Sequence, residues 1–175
     1  MNYDPVSIRN INGAHPAIRS SLLMTYQDAV KYLLNASNGR LSLRMYRVLA
    51  TFTEQAYLYA QGRTRPGRIA TWAKAGESFH NYGMAADGCL LFDRDGNGSF
   101  ETAAWDTKFN FTKDSLPDWM EVIQIFQRHS WQAGYYFQNR KCDPPHFQMP
   151  LGHSWQELLR LHNAGRVDAA GYVIL

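Results

Sequence analysis

A change in the spacing of apolar residues at Asn38-Gly39 restricts the chain to folds that mix helices with strands. Before this dipeptide, apolar residues recur at helical spacing over residues 20–37. After it, the segment RLSLRM alternates apolar and polar residues, which predicts a strand with one buried face. The apolar residues of that strand are Leu41, Leu43 and Met45. A core-packing helix followed by a half-buried strand is therefore the first unit of the fold.

The remaining segments continue this mixture. A capping box at Thr51 and Glu54 predicts a second helix that ends at Gly62. The segments GCLLF and SFETAAW, separated by the turn DRDGNG, predict a hairpin. Further predictions are a long helix over residues 117–133 with Ser115 as its cap, a strand at YYFQ, and a last helix over residues 154–165. Because helices and strands do not alternate strictly, we predict an α+β fold, a small antiparallel sheet packed by helices.

Length and composition predict one domain. A chain of 175 residues with 45% hydrophobic residues can bury one substantial core, so we expect residues 1–175 to form a single domain and a monomer. A net charge of +3 does not require a nucleic-acid partner, and the basic segment GRTRPGR is typical of a solvated loop. We see no signal peptide and no apolar run of the roughly 20 residues that a membrane helix needs, which predicts no stable membrane insertion.

Two segments, SFHNYGMAAD and CDPPHFQ, each pair a histidine with a carboxylate. His80, Asp87 and His146 together supply the three protein ligands of a catalytic zinc site, which keeps a fourth position open. Asp143 is left over beside His146, where two prolines stiffen the chain, and suits a general base. With six histidines and 15 acidic residues in the chain, spacing alone favours structural polar groups over a metal site.

These same residues carry a resemblance to a known family. SFHNYGMAAD resembles the Ser-x-His-x-x-Gly-x-Ala-x-Asp signature of zinc peptidases that include D-alanyl-D-alanine carboxypeptidases and dipeptidases of the vancomycin-resistance type. DPPHFQ resembles their second signature. The stretch from EQAYLYAQGRTRPG to HNYG is still more similar to phage endolysins that are L-alanyl-D-glutamate endopeptidases. The likeness covers about residues 47–148 and implies the fold of zinc DD-peptidases and Hedgehog-like domains.

The resemblance implies a role for each matching residue. His80, Asp87 and His146 bind zinc, Asp143 is the catalytic acid and base, and Ser78 hydrogen-bonds substrate. Ala50 departs from the family, which commonly carries an arginine there to stabilise the oxyanion. Two alternatives remain for stabilising the oxyanion: the metal alone, or a nearby arginine. The candidate arginines are Arg47, Arg63, Arg65 and Arg68, of which Arg63 is predicted to bind substrate.

The turn DRDGNG raises a separate possibility. Asp93, Asp95 and Asn97 match the first half of an EF-hand calcium loop. The twelfth position, Ala104, lacks the bidentate glutamate, and the flanking segments are predicted strands. A hairpin turn without metal is the alternative, and a calcium site at these residues is kept as a prediction.

The function implied by the resemblance is hydrolysis of the peptidoglycan stem peptide between L-alanine and D-glutamate, in phage-induced lysis of the host. The enzyme is expected to stay in the host cytoplasm until release and then to act on the cell wall. Two alternatives are a D-alanyl-D-alanine carboxypeptidase and a binding module that keeps zinc but has lost catalysis. A nucleic-acid-binding role for the arginine loop is weaker, since three arginines in a loop are ordinary.

Overall fold

The computed structural model describes residues 3–138 and 142–175, which form five α-helices and five β-strands. The helices are α1 (Pro5–Asn12), α2 (Pro16–Ala36), α3 (Phe52–Ala60), α4 (Asp118–Arg128) and α5 (Trp155–Asn163). The strands are β1 (Leu41–Arg47), β2 (Ala85–Phe92), β3 (Thr102–Ala104), β4 (Gln132–Ala133) and β5 (His146–Gln148). Short 3₁₀ turns lie at Phe79–Tyr82 and Gly134–Tyr136. The predicted α+β class is confirmed.

Strand β2 is the centre of the sheet. It pairs with β1 along one edge, and along its other edge it pairs first with β5 and then with β3. Strand β4 lies outside β5, so the order is β1-β2-β5-β4 with β3 beside β2, and every pairing is antiparallel. The predicted hairpin of β2 and β3 is therefore present.

One face of the sheet carries the core. Leu41, Leu43 and Met45 of β1 are fully buried, as their alternation predicts, and they join the apolar sides of α2 and α4. The ring of Phe126 in α4 stacks on that of Phe147 in β5 with their centroids 3.9 Å apart. Burial of such large side chains contributes about 1.5–3 kcal/mol each, so this face anchors the strands that carry the candidate site.

Two helix boundaries differ from the prediction. Helix α2 begins at Pro16 rather than near residue 20, because the His15 side chain accepts a hydrogen bond from the backbone N–H of Ala17 and caps it. Helix α4 has no cap from Ser115; the carboxylate of Asp118 instead accepts a hydrogen bond from the Phe111 backbone N–H. The charge of an aspartate in the first turn also suits the positive end of the helix.

The region after α4 corrects the prediction further. The helix ends at Arg128, and residues 132–133 pair with β5 instead of continuing the helix to residue 133. The predicted strand at YYFQ is wrong, because Gly134–Tyr136 form a 3₁₀ turn. The strand of this region is His146–Gln148, which fills the gap between β2 and β4. No helix in residues 3–138 or 142–175 is long and apolar enough to cross a membrane.

Candidate active site

His80 is fixed by a tight turn at the entrance to β2. The Ser78 hydroxyl accepts a hydrogen bond from the His80 N–H, and Gly83 ends the turn in the left-handed region at φ 66°. A Cβ at Gly83 would stand 2.8 Å from the backbone nitrogen of His15, so only glycine fits there. The His80 carbonyl accepts a hydrogen bond from the Ala50 N–H, which ties the turn to the segment after β1.

Asp87 and His146 face each other across the sheet. They are directly opposite residues of the antiparallel pair β2 and β5, so their side chains project from the same face. This face is opposite to the one that packs on α2 and α4, because Ala86 and Phe147, the sequence neighbours, belong to the core. A 59-residue separation in sequence becomes direct contact once β2 and β5 pair.

Three donor atoms converge on one point. His80 Nε2 lies 3.1 Å from Asp87 Oδ1, His146 Nδ1 lies 3.0 Å from the same oxygen, and the two nitrogens are 3.3 Å apart. Ligand atoms held at 2.0–2.1 Å by one tetrahedral zinc stand roughly 3.3 Å apart, so the spacing fits such an ion. The His80 side chain is 5% exposed and those of Asp87 and His146 13% each, which leaves one open side. The residues present therefore fit a zinc ion with a free coordination position.

The other ring nitrogens fix the tautomers. His80 Nδ1 donates to the Val48 carbonyl oxygen at 2.8 Å, and His146 Nε2 donates to Gln148 Oε1 at 3.1 Å. The nitrogens that face the common point therefore keep their lone pairs. Gln148 is itself oriented, since its Nε2 donates to Gln132 Oε1 at 2.8 Å.

The charges of the cluster favour cation binding. Burial alone would raise the pKa of Asp87, but its electrostatic interaction with the two histidine rings, His80 foremost, holds it well below its usual value. Burial opposes protonation of His146, whereas the neighbouring Asp87 carboxylate raises its pKa. A carboxylate that stays ionised between two imidazoles provides the negative charge that a divalent cation requires.

The donor cluster forms the floor of a cleft of about 630 Å³. Its wall includes Ser78 and Asp143, together with a second group of polar and aromatic residues: Tyr46, Arg47, Gln55, Trp72, Phe137 and Gln148. Asp143 is exposed at the cleft mouth, and partial burial of its carboxyl and then the nearby charge of Asp87 raise its pKa. The four residues that the sequence singles out for zinc chemistry thus share one cleft.

Comparison with known proteins identifies the kind of molecule that carries this cleft. Residues 71–149, which contain all four residues, match the family described as D-alanyl-D-alanine carboxypeptidase. The peptidoglycan L-alanyl-D-glutamate endopeptidase CwlK of Bacillus subtilis (strain 168) is 33% identical over 135 residues, 77% of this chain and 72% of CwlK. The chain belongs to this family of metallopeptidases. The family resemblance predicted from the two signatures is confirmed.

The loop that carries Asp143 of the peptidase is held by backbone contacts. The Asp143 N–H donates to the Gly134 carbonyl oxygen at 2.9 Å, and the His146 N–H donates to the Asp143 carbonyl oxygen at 3.0 Å. A further bond joins the Gly88 N–H to the Pro145 carbonyl oxygen at 3.0 Å. A Cβ at Gly134 would stand 2.4 Å from the Asp143 carbonyl oxygen, so the close approach of these segments depends on glycine.

Arg63 lies outside the lining of the peptidase cleft. Its Nη1 donates to the carbonyl oxygens of Tyr59 and Thr71, and its guanidinium lies 3.8 Å from the centroid of the Tyr59 ring. These contacts fix the arginine loop against α3. Substrate binding by Arg63 stays a prediction, as does that by Ser78, which does line the cleft.

The turn after β2 closes on its own hydrogen bonds. The Asp93 carboxylate accepts hydrogen bonds from the backbone N–H groups of Gly96, Asn97 and Gly98, which lowers its pKa despite its burial. Asp95 accepts from the amide of Asn97. The carboxylates of Asp93, Asp95 and Glu101 lie close enough together to share one cation, and Asp93 and Asp95 belong to the predicted set. The contacts agree with a hairpin turn that needs no metal, so calcium at this turn gains no support.

Four polar residues in or next to the cleft have no definite role predicted from sequence: Arg47, Gln55, Gln132 and Gln148. Only Arg47 carried a signal there, as one of several arginines able to replace the charge missing at Ala50. The glutamines have no signal in the sequence, because their contacts form only in the fold: Gln148 bonds Gln132 across β4 and β5, and Gln55 lies between Arg47 and the Ala73 carbonyl oxygen.

Proposed function

We propose that the protein is a zinc-dependent endopeptidase that hydrolyses the L-alanyl-D-glutamate bond of the peptidoglycan stem peptide. The observation that carries the proposal is the triangle of His80 Nε2, Asp87 Oδ1 and His146 Nδ1 at zinc-ligand spacing, in the same cleft as the Asp143 carboxylate. The identity to CwlK, an enzyme named for this bond, supports the choice of substrate.

His80, Asp87 and His146 would hold the zinc ion. When bound, zinc would polarise the carbonyl group and lower the pKa of water to near 7. Hydrolysis of an amide at neutral pH requires both effects, because an amide carbonyl is a poor electrophile and water is a poor nucleophile. The protein supplies the rest. The Val48 carbonyl and Gln148 fix the ring orientations. The cleft wall would align an extended peptide with its scissile carbonyl towards the ligand cluster.

Asp143 would move the proton. Its carboxylate accepts a proton from the attacking water and returns it to the nitrogen of the departing D-glutamyl residue, so that the C–N bond breaks without release of an amide anion. A carboxyl group whose pKa is raised by its surroundings holds that proton more readily than an ordinary aspartate. Ser78, whose side chain lines the same cleft, is assigned to substrate binding.

The biological setting belongs to the same proposal. The similarity to endolysins in the stretch before His80 supports a phage enzyme that accumulates in the host cytoplasm and acts on the cell wall after release, as a monomer built on one peptidase domain spanning residues 1–175. Calcium is no part of the proposal, because the backbone of the 93–98 turn already satisfies Asp93.

A D-alanyl-D-alanine carboxypeptidase is the second candidate, favoured by the description of the family that residues 71–149 match. A non-catalytic zinc module is disfavoured by Asp143, since a structural zinc needs no free carboxylate beside an open position. Digestion of purified peptidoglycan, with and without a chelator, followed by mass spectrometry separates the candidates. New L-alanine carboxyl ends support the endopeptidase, released D-alanine supports the carboxypeptidase, and the absence of chelator-sensitive cleavage eliminates both.

Two variants test the assigned roles in the same digest. Asp143→Asn is expected to keep its zinc and lose at least about 100-fold in kcat, because proton transfer contributes 10²–10⁴-fold. His80→Ala is expected to lose zinc itself, measured by elemental analysis. An active Asp143→Asn enzyme would remove this residue from the mechanism while leaving the zinc site intact.

A further inference from the structure

An irregularity at the end of β1 determines where Arg47 points. Leu41, Leu43 and Met45 occupy the core face, and strict alternation would place residue 47 on that face as well. The pairing with β2 shifts between Met45, which opposes Gly88, and Arg47, which opposes Asp87. The shift leaves Tyr46 as an extra residue, a β-bulge. Because of this bulge, Arg47 projects from the face that carries the donor cluster.

The result is a row of three side chains across three strands. Arg47 is the neighbour of Asp87 on one side, and His146 is its neighbour on the other. Side chains opposite each other in an antiparallel pair have Cβ atoms about 4.5–5.5 Å apart. The guanidinium of Arg47, attached through a long flexible stem, therefore reaches the space immediately beside the metal ligands, and it lines their cleft.

Arg47 is oriented but not neutralised. Its Nη2 donates to Gln55 Oε1 at 3.3 Å, and Gln55 is buried with its Nε2 committed to the Ala73 carbonyl oxygen at 2.8 Å. The amide therefore presents its oxygen to Arg47. Within residues 3–138 and 142–175, no carboxylate forms an ion pair with Arg47, whereas Arg44 on the same strand pairs with Asp4 at 2.7 Å. A half-buried guanidinium with a neutral partner can still bind an anion in the cleft.

The chemistry of the proposed substrate provides that anion. D-glutamate in the stem peptide is linked onward through its γ-carboxyl, so the carbon next to the scissile nitrogen carries a free α-carboxylate. The terminal residue of D-alanyl-D-alanine carries a carboxylate at the same place. A planar guanidinium binds a carboxylate through two parallel hydrogen bonds.

We infer that Arg47 binds the free α-carboxylate of the residue that follows the scissile bond, and so selects substrates that carry this charge. The inference rests on the proposed endopeptidase function. It assigns Arg47 to the leaving side of the substrate, whereas the carbonyl side faces the ligand cluster. In this role Arg47 does not replace the oxyanion charge that the family carries at the position of Ala50, which is buried here, so a bound zinc ion alone would stabilise the oxyanion.

Two synthetic stem peptides test the inference. In one, the D-glutamyl α-carboxyl is free; in the other, it is amidated to D-isoglutamine, which removes the charge and keeps the shape. Zinc-loaded wild-type enzyme is expected to prefer the free acid. Arg47→Gln is expected to lower kcat/KM for the free acid by roughly 10- to 100-fold, the range of a hydrogen bond to a charged group, and to leave kcat/KM for the amide near the wild-type value.

Further variants keep the test specific. Arg47→Lys retains the positive charge but cannot form two parallel hydrogen bonds, so it should retain part of the preference for the free acid. Arg166→Gln removes one exposed positive charge outside the cleft lining and should leave kcat/KM unchanged for both peptides. Zinc content and the thermal unfolding midpoint of each variant show whether the fold and the donor cluster survive. Binding of the free-acid peptide to the Asp143→Asn enzyme, with and without Arg47→Gln, gives a readout independent of turnover.

The outcomes are distinct. Equal loss on both peptides would show that Arg47 serves the reacting carbonyl or the fold, and would overturn the inference. Unchanged kinetics on both peptides would overturn it as well. If wild-type enzyme cleaves neither peptide, the proposed function fails first; the binding measurement then decides whether Arg47 still recognises the carboxylate.

Discussion

At the scale of single residues, the candidate site depends on which nitrogen of each histidine is free. His80 and His146 present different nitrogens, Nε2 and Nδ1, to the same point, and in each ring the other nitrogen donates to an oxygen. For His80 the acceptor is a backbone carbonyl, which substitution cannot remove. For His146 it is the side chain of Gln148, so this ligand can be tested.

Gln148→Leu is expected to weaken zinc binding about 10- to 100-fold, the usual effect of losing a hydrogen-bond partner of a ligand histidine. Without an acceptor at Nε2, the His146 ring proton can move to Nδ1. Molecules with the proton on Nδ1 have no lone pair there to bind zinc. Competition with a chromophoric chelator measures the affinity. Gln132→Leu, one bond further out, should have a smaller effect, and equal affinity of wild type and Gln148→Leu would refute the role.

The clustering of the candidate ligands was predictable from sequence at this scale, and the residues around them were not. His80, Asp87, Asp143 and His146 are chemically unusual residues within two recognisable signatures. Arg47 was one candidate arginine among several, because it follows the predicted strand segment of residues 40–45 and its direction depends on the register shift beside it. A bulge is set by the pairing of two strands, and local sequence does not reveal it.

At the scale of elements, the close packing of Gly134 against the Asp143 loop joins the end of β4 to the candidate catalytic residues. Gly134→Ala would force its Cβ to within 2.4 Å of the Asp143 carbonyl oxygen and 3.0 Å of the His146 Cβ. Neither the Asp143 backbone nor the His146 side chain can move aside without disturbing the site, so the loop that carries Asp143 must shift.

We therefore expect Gly134→Ala to lower kcat by at least about 10-fold, because small displacements of catalytic groups cost about 100-fold. Steady-state kinetics and zinc content are the measurements. Gly39→Ala is the control: φ there is 83° and nothing lies within 4 Å, so it strains the backbone far from the cleft. Similar activity loss in both variants would indicate general destabilisation instead of a shifted loop.

The same elements show where local sequence signals fail. Residues 117–133 carry a helical pattern, yet the helix stops at Arg128 and Ser130 adopts a left-handed φ of 66°. The pairing of residues 132–133 with β5 outweighs local propensity, as tertiary contacts commonly do. Helix α3, whose capping box at Thr51 and Glu54 is satisfied within a single turn, was predicted correctly.

At the scale of the whole molecule, the carboxyl group of Glu121 keeps its proton in the folded state up to about pH 7. Glu121 in α4 is 7% exposed, accepts a hydrogen bond from Tyr32 of α2, and lies near Asp114 and Asp118. Burial, together with these two negative charges, raises the pKa of Glu121 to about 7, although the Tyr32 hydrogen bond acts in the opposite direction. The contact of α2 with α4 therefore depends on pH.

The sign of this dependence follows from proton binding. The folded state holds a proton on Glu121 up to about pH 7, whereas the unfolded chain releases it near the ordinary value of 4.5. The stability gained by this proton is complete below pH 4.5 and is lost as pH rises through 7. Glu121→Gln keeps an acceptor for Tyr32 and removes the titration, so it should be more stable than wild type at pH 8 and lose that advantage at pH 5. Denaturant unfolding at both pH values measures the difference in free energy of unfolding between the two proteins. The other titrating groups contribute equally to both proteins and cancel in this difference. A difference that does not change with pH would mean that Glu121 stays ionised in the fold.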